Sequence, residues 1–305
     1  MRILVTGASG MLGKSVTHQL INLNNDVIPL TRENVDLLDQ YSTKNFIKDV
    51  NPDAIVHCAA LVGGIQANIS GGGKYLLDNL AIDNSVLTAA KELKVKNLIY
   101  IGSSCMYPAN FPNPLTEDQI LNGYLEKTNE NYALAKIIGS RIVEAVALDE
   151  KCNWRTFIAS NLYGPNDHFG SEKSHLLSAI ISKAIDAQEN RSSIEMWGDG
   201  TPRREFTYVE DFAEWIGKSI SKLSLLPQNL NLGLGIDYSV KDLYQFVLKD
   251  IEYETEIIPN LAKPNGNMRK LMDSTKAREF GWNPKTSIES GISQTVKWYL
   301  SNRIK

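Results

Sequence analysis

Cysteine is scarce: the 305 residues contain three, Cys58, Cys105 and Cys152, far apart and odd in number. They build no disulfide framework and lack metal-ligand spacing, so no metal is expected and a reducing, cytoplasmic setting fits. Long hydrophobic runs are also missing. The longest apolar stretch, AIVHCAALVGGI, has twelve residues and includes a histidine, too short and too polar to cross a bilayer. No n-region or h-region precedes the first strand at Arg2, so no secretion signal is read there. The formal net charge is only -3, without a long basic run or an acidic tail. Nucleic acid or an anionic membrane is therefore not expected as the main partner. Internal repeats are absent, and the triplet Gly71 to Gly73 reads as a loop.

What is present is a hydrophobic fraction of 43%, enough for one large domain or a domain with a smaller lobe. Short β-rich runs alternate with helical patterns. RILVT precedes a helix near 11–23, DVIPLT one near 40–49, DAIVHCAA one near 76–93 and KNLIYIGSS one near 131–148, before WRTFIASNLYG. Strands apolar on both faces in a βαβα series predict an α/β fold, a doubly wound parallel sheet covered by helices on each side. Beyond Pro165 the pattern turns irregular, with helices near 175–188, 209–223, 240–249 and 287–299 and strands near FTYV and LNLG. Residues 1–162 read as a dinucleotide-binding domain. Residues 163–305 read as mainly a smaller α/β substrate lobe, with some segments returning to the first domain.

VTGASGMLG places Gly7, Gly10 and Gly13 between the first strand and the first helix. Glycines there let the backbone approach a pyrophosphate, which the free N–H groups of the helix N-terminus then bind. The second strand ends in Thr31 and Arg32 rather than in an acid. A guanidinium pairs with a ribose 2'-phosphate that a carboxylate would repel, so NADP(H) is the expected cofactor. Glu33 follows directly and competes for the same space.

Tyr132 and Lys136 in NYALAK are four residues apart, on one face of a predicted helix. A tyrosine ordinarily titrates near pH 10 and needs a neighbouring cation before it exchanges protons at neutral pH. A glycine fingerprint, a strand ending in GSS and then Y-x-x-x-K about thirty residues later resemble the short-chain dehydrogenase/reductase family in its extended form. That resemblance implies that Ser103 bonds the substrate carbonyl and Tyr132 transfers its proton. Lys136 would orient the cofactor ribose and lower the tyrosine pKa.

On an extended strand end, residues i and i+2 share a side, so Cys105 is expected to share a face with Ser103 while Ser104 points away. A thiol there reaches a carbon beside the carbonyl, whose proton is acidic because an enolate can form. Inverting that carbon needs a second group on the opposite face, and His175 in SEKSHLLSA is the candidate.

SSCMYP, TNENYALAKIIG, NLYGPND, KSHLLSAII, WGDGTPRREFTYVED and MRKLMD together resemble the GDP-L-fucose synthase family over nearly the whole chain. HCAALVGGIQAN fits the same pattern. The resemblance implies C3/C5 epimerisation of a GDP-4-keto-6-deoxy sugar by Cys105 and His175, followed by NADPH-dependent reduction at C4. It also implies a homodimer that pairs the two long helices of each subunit. Substrate contacts would fall on Ser104, Asn161, Lys183, Trp197 and Arg204. Cofactor contacts would include Ser9, Met11, Leu12, Ala59, Ala60, Lys136, Asn161, Leu162 and His175 besides the glycines and Arg32.

Two runs depart from the family. Ser9 stands where some members carry an arginine, which leaves 2'-phosphate selectivity to Arg32. NISGGGKYLLDN differs at the sugar end of the pocket. A relative acting on another GDP-4-keto sugar, deoxy or heptose, stays open, as does a non-catalytic dinucleotide sensor.

Overall fold

The computed structural model describes residues 1–170, 174–263 and 266–303. Strands β1 (Arg2–Thr6), β2 (Asp26–Leu30), β3 (Ala54–His57), β4 (Asn97–Ser103) and β5 (Asn153–Ala159) alternate with helices α1 (Met11–Asn22), α2 (Gln40–Val50), α3 (Ile65–Glu92) and α4 (Glu130–Asp149). Then follow β6 (Asn161–Tyr163), α5 (Leu176–Asn190), β7 (Ile194–Trp197), β8 (Arg203–Tyr208), α6 (Val209–Ser219), β9 (Asn229–Leu232), β10 (Asp237–Ser239), α7 (Val240–Asp250), β11 (Ile257–Asn260), β12 (Arg269–Lys270), α8 (Thr275–Glu279) and α9 (Ile288–Asn302).

The main sheet is parallel throughout, in the order β2-β1-β3-β4-β5-β9. Side-chain alternation along β1 shows why its sequence is apolar on both faces. Ile3 and Val5 pack with Val16 and Leu20 of α1 and with Phe212 and Ile216 of α6. Leu4 faces the other way, with Ile47 of α2, Val86 of α3 and Val143 of α4. The expected doubly wound sheet is thus present. The chain runs from β1 outward to β2 and returns on the far side to β3, so a crevice opens beyond the carboxyl ends of β1 and β3.

A second sheet, β10-β8-β12 with β6 on β8, and the pair β11-β7 complete the strand pairing, β6 following directly on the carboxyl end of β5. Helices α5, α7 and α9 enclose their core around Phe206, Ile181, Leu243 and Ile292. By contrast, α6, β9 and α8 supply Phe212, Leu230 and Ala277 to the core of the first sheet.

One expectation is corrected. Helix α3 starts at Ile65, not near Leu76, and takes in the glycine triplet expected to be a loop. Only Gly71 departs from helical geometry (φ -123°, ψ 24°), which kinks the helix. A close approach accounts for one glycine of the triplet: a Cβ on Gly72 would stand 2.5 Å from the Asn131 side-chain nitrogen at the start of α4. No helix among the described residues is long and apolar enough to cross a membrane.

Candidate active site

The glycine loop is built for close backbone approach. Gly7 has φ +66°, and a Cβ there would meet the Ala59 backbone at 2.7 Å. A Cβ on Gly13 would lie 2.1 Å from the Gly7 carbonyl oxygen. Gly10 precedes α1 without a side-chain cap, and no acid occupies the first turn. The N-terminal N–H groups are therefore free for an anion, and the cradle suits a dinucleotide pyrophosphate. Ser9 is exposed, Met11 and Leu12 are half-buried at the helix start, and Ala59 and Ala60 line the opposite wall beyond β3. Arg32 is exposed just past β2, on a turn that Asn34 closes by accepting from the Thr31 N–H and hydroxyl.

Behind this wall runs a buried polar chain. The Ala59 N–H donates to Thr6 Oγ1 at 3.2 Å, and Thr6 Oγ1 lies 2.7 Å from His57 Nδ1. His57 Nε2 meets Asp83 Oδ1 at 3.1 Å, the Tyr100 hydroxyl donates to Asp83 Oδ2 at 2.5 Å, and Lys136 Nζ donates to Tyr100 at 3.2 Å. A carboxylate accepts, so Nε2 carries the imidazole proton and Nδ1 accepts from Thr6. Burial pulls the Lys136 ammonium down, opposed by Asp83 and then Cys58. Burial also works to raise the Asp83 carboxyl, but Lys136 and the His57 contact outweigh it and hold it low.

Lys136 was expected to lower the pKa of Tyr132. The structure differs: burial pushes the Tyr132 phenol up, the charges of Cys105 and Asp83 add to this, and the hydrogen bond with Ser103 opposes it. Asp83 draws the ammonium toward Tyr100 instead. The phenol is thus protonated at neutral pH, although burial makes it a weaker acid than a free tyrosine.

The surroundings of the cysteine also differ from the extended strand expected. Strand β4 stops at Ser103, and residues 104–106 form a single 3₁₀ turn capped by Ser103, whose Oγ accepts from the Cys105 N–H at 3.2 Å. Tight turning replaces alternation, so Ser104 is buried and Cys105 is half-buried, facing α4. Asn129 Nδ2 lies 3.2 Å from its sulfur. The turn thus seats Ser103 and Cys105 against the start of α4, which carries Asn129 and Tyr132, with Lys136 one turn further on.

His175 immediately precedes α5, its Nδ1 3.4 Å from Asp167 Oδ1. Burial disfavours the charged ring, but the hydrogen bond and charge of Asp167 prevail and raise its pKa. Asn161 donates to the Glu205 carbonyl at 2.8 Å, fixing β6 to β8 beside Arg204. Leu162 next to it packs against the core of the main sheet. Burial lowers the Arg204 guanidinium, with Glu126 and Cys105 opposing. Arg203 and Arg269 share Asp237, whereas Arg204 has no ion pair among the described residues.

Trp197 ends β7 and remains 38% exposed, so it presents a ring face rather than filling a core. Lys183 and Lys263 place their ammonium groups 5.1 Å and 5.0 Å from its centroid, within cation–π range. Burial lowers Lys183, against Glu195.

Sequence reasoning missed Asp83, Tyr100, Asn129 and Asp167. Each acts through partners 8 to 36 residues away, and no local spacing marks such contacts.

Fold and chemistry together define a class: an α/β oxidoreductase that binds a dinucleotide at the switch point of its sheet and carries serine, tyrosine and lysine beside it. The chain belongs to the NAD dependent epimerase/dehydratase family, whose model matches residues 3–233. It is 41% identical to GDP-L-colitose synthase of Yersinia pseudotuberculosis over 305 residues, 99% of both chains. It is 40% identical to GDP-L-fucose synthase of Azorhizobium caulinodans over 301 residues, 98% of this chain and 96% of the relative. Its fold matches a GDP-D-glycero-L-gluco-heptose synthase from Campylobacter jejuni, solved in the presence of NADPH, with a TM-score of 0.89, 27% identity and 98% of each chain covered.

Proposed function

We propose that the protein is an NADP(H)-dependent epimerase and reductase that converts GDP-4-keto-6-deoxy-D-mannose to GDP-L-fucose. The observation that carries this reading is the seat of Cys105 beside the reductase residues: Ser103 Oγ accepts from its N–H at 3.2 Å, and Asn129, three residues before Tyr132, lies 3.2 Å from its sulfur. A simple ketoreductase needs no thiol beside its tyrosine.

Ser103 and Tyr132 hold the C4 oxygen. Cys105 as thiolate takes the proton from the carbon next to it, and the electron pair moves onto that oxygen as an enolate. His175, kept protonated by Asp167, returns a proton on the opposite face; Cys105 then gives up its proton to solvent and His175 takes one back, so the same pair inverts C3 and C5 in turn. NADPH, held by the glycine cradle and Arg32, supplies the hydride for C4 when bound. Tyr132 gives its proton to the C4 oxygen, and Arg204 and Lys183 pair with the diphosphate while Trp197 offers its face to the nucleotide.

In this reading residues 1–162 hold the cofactor and the rest mainly the sugar nucleotide. The enzyme works in the cytoplasm as a homodimer through α3 and α4, where Leu77, Ile138 and Leu148 are exposed.

A second reading has a specific observation behind it, the full-length similarity to GDP-L-colitose synthase. A C3-deoxygenated sugar permits inversion at C5 only. Incubation of the protein and NADPH with each of the two GDP-4-keto sugars, with products identified by NMR, separates the readings. Turnover of the 6-deoxy sugar to GDP-L-fucose is expected; turnover of the 3,6-dideoxy sugar alone moves the assignment, and NADPH oxidation with neither overturns both.

A further inference from the structure

Asn129 occupies the residue before α4, where an asparagine ordinarily accepts from the first free N–H groups of the helix. It makes no such cap. Its Nδ2 is instead directed at Cys105 Sγ, 3.2 Å away and 24 residues back in the chain. Its Oδ1 is buried with no hydrogen-bond partner. A capping bond is forgone and an amide oxygen left unsatisfied, both of which cost stability. The compensating contact is the one to the sulfur. Asn129 also stands three residues before Tyr132, so one helix start carries both the amide facing the thiol and the phenol.

We propose that Asn129 is a positioning residue for the epimerisation thiol: its Nδ2–H donates to Cys105 Sγ, fixes the sulfur toward the sugar carbon and favours the thiolate that accepts the proton. This rests on the epimerase reading above. A hydrogen bond to a charged acceptor is stronger than one to a neutral acceptor, so the donor favours the anion. The Ser103 oxygen accepts from the Cys105 backbone N–H, while the side-chain donor at the sulfur is Asn129. The other groups coupled to the thiol are Tyr132 on α4 and Arg204 on β8, with Glu126 facing Arg204 from the segment before α4. Burial keeps the Tyr132 phenol neutral, so Arg204 is the cation among these groups. Asn129 therefore acts alongside Arg204 and supplies the direct contact.

The test does not depend on the identity of the sugar. Iodoacetamide alkylation of Cys105 in the full chain is followed by peptide mass spectrometry from pH 6 to 9, for the parent protein, Asn129→Ala and Asn129→Asp. At pH 7 the rate is expected to fall about tenfold in Asn129→Ala and further in Asn129→Asp, since reactivity follows the thiolate fraction. The two profiles should shift to higher pH and meet the parent at the alkaline end. Asn129→Asp keeps the side-chain shape, so it carries the test if the alanine variant fails to fold. Parent-like rates and profiles in the folded variants overturn the proposal. Absence of carbon–hydrogen exchange in the parent protein with any GDP-4-keto sugar, beside a normal alkylation shift, would instead overturn the epimerase reading and leave the Asn129 contact standing.

Discussion

Lys136 Nζ lies 3.2 Å from the Tyr100 hydroxyl and 4.3 Å from the centroid of the same ring. The helix must pass close for this contact to form. A Cβ on Gly139 would stand 2.2 Å from the Tyr100 oxygen and 2.7 Å from Asp83 Oδ2. Lys136 thus takes its place from a carboxylate on α3 and a phenol on β4, neither of them near it in sequence.

Tyr100→Phe keeps the ring under the ammonium and removes both hydrogen bonds. If Lys136 holds the cofactor ribose, the KM for NADPH rises about tenfold while kcat changes less, because the lost interaction is mainly one of binding. Steady-state kinetics and a fluorescence titration with NADPH check this. Unchanged binding would detach the buried chain from the cofactor.

Tyr132→Phe removes the proton donor while leaving Cys105 and His175 in place. Reduction should fall about 100-fold or more, with solvent exchange at the sugar carbons surviving in part. NADPH absorbance and NMR of the sugar in deuterated buffer read the two separately; loss of both together would contradict the division of roles.

The raised pKa of His175 depends on Asp167, against the opposing effect of burial. Asp167→Asn removes the negative charge, so the ring loses its proton at a lower pH. The alkaline limb of the exchange rate should then move to lower pH, and a profile that stays in place would remove His175 from the role of acid. Rates measured from pH 5.5 to 9 give the answer.

Glu205 lies in the core of the lobe, accepting from the Gly235 N–H at 2.6 Å and the Met272 N–H at 3.1 Å. Burial nevertheless pushes its carboxyl from the ordinary 4.5 up to about 7, with those two bonds opposing. A raised folded value means stability that is full below the unfolded pKa and lost as pH rises through about 7. The effect amounts to at most about 3 kcal/mol. Thermal unfolding should therefore show Tm falling between about pH 4.5 and 7 and levelling off above, and Glu205→Gln should flatten the slope. Equal slopes would place the effect elsewhere.

Much of the fold was legible because each of the first four strands of the main sheet is a short apolar run with its own helix after it. Gly7 and Gly13 announced the cradle for the same reason, since their need is local. The N-terminal part of α3 was hidden, because glycine normally breaks a helix and only the passage of α4 over Gly72 accounts for that glycine. The turn at residues 104–106 was hidden by a strand pattern that runs straight into it. Asp83, Tyr100 and Lys136 come from three elements whose meeting the topology decides, so no spacing within the sequence reports it. Trp197, whose lysine partners come from α5 and from the turn after β11, shows the same limit.

The central claim is that one pocket carries both carbon–hydrogen inversion and carbonyl reduction. The most direct test is a single incubation of the protein with GDP-4-keto-6-deoxy-D-mannose and NADPH in heavy water, beside the Cys105→Ser variant. The account predicts NADPH consumption with deuterium at C3 and C5 in the parent protein, and loss of that label in the variant with NADPH binding intact. Reduction without label in the parent protein would contradict it and leave a 4-ketoreductase whose Cys105 only packs.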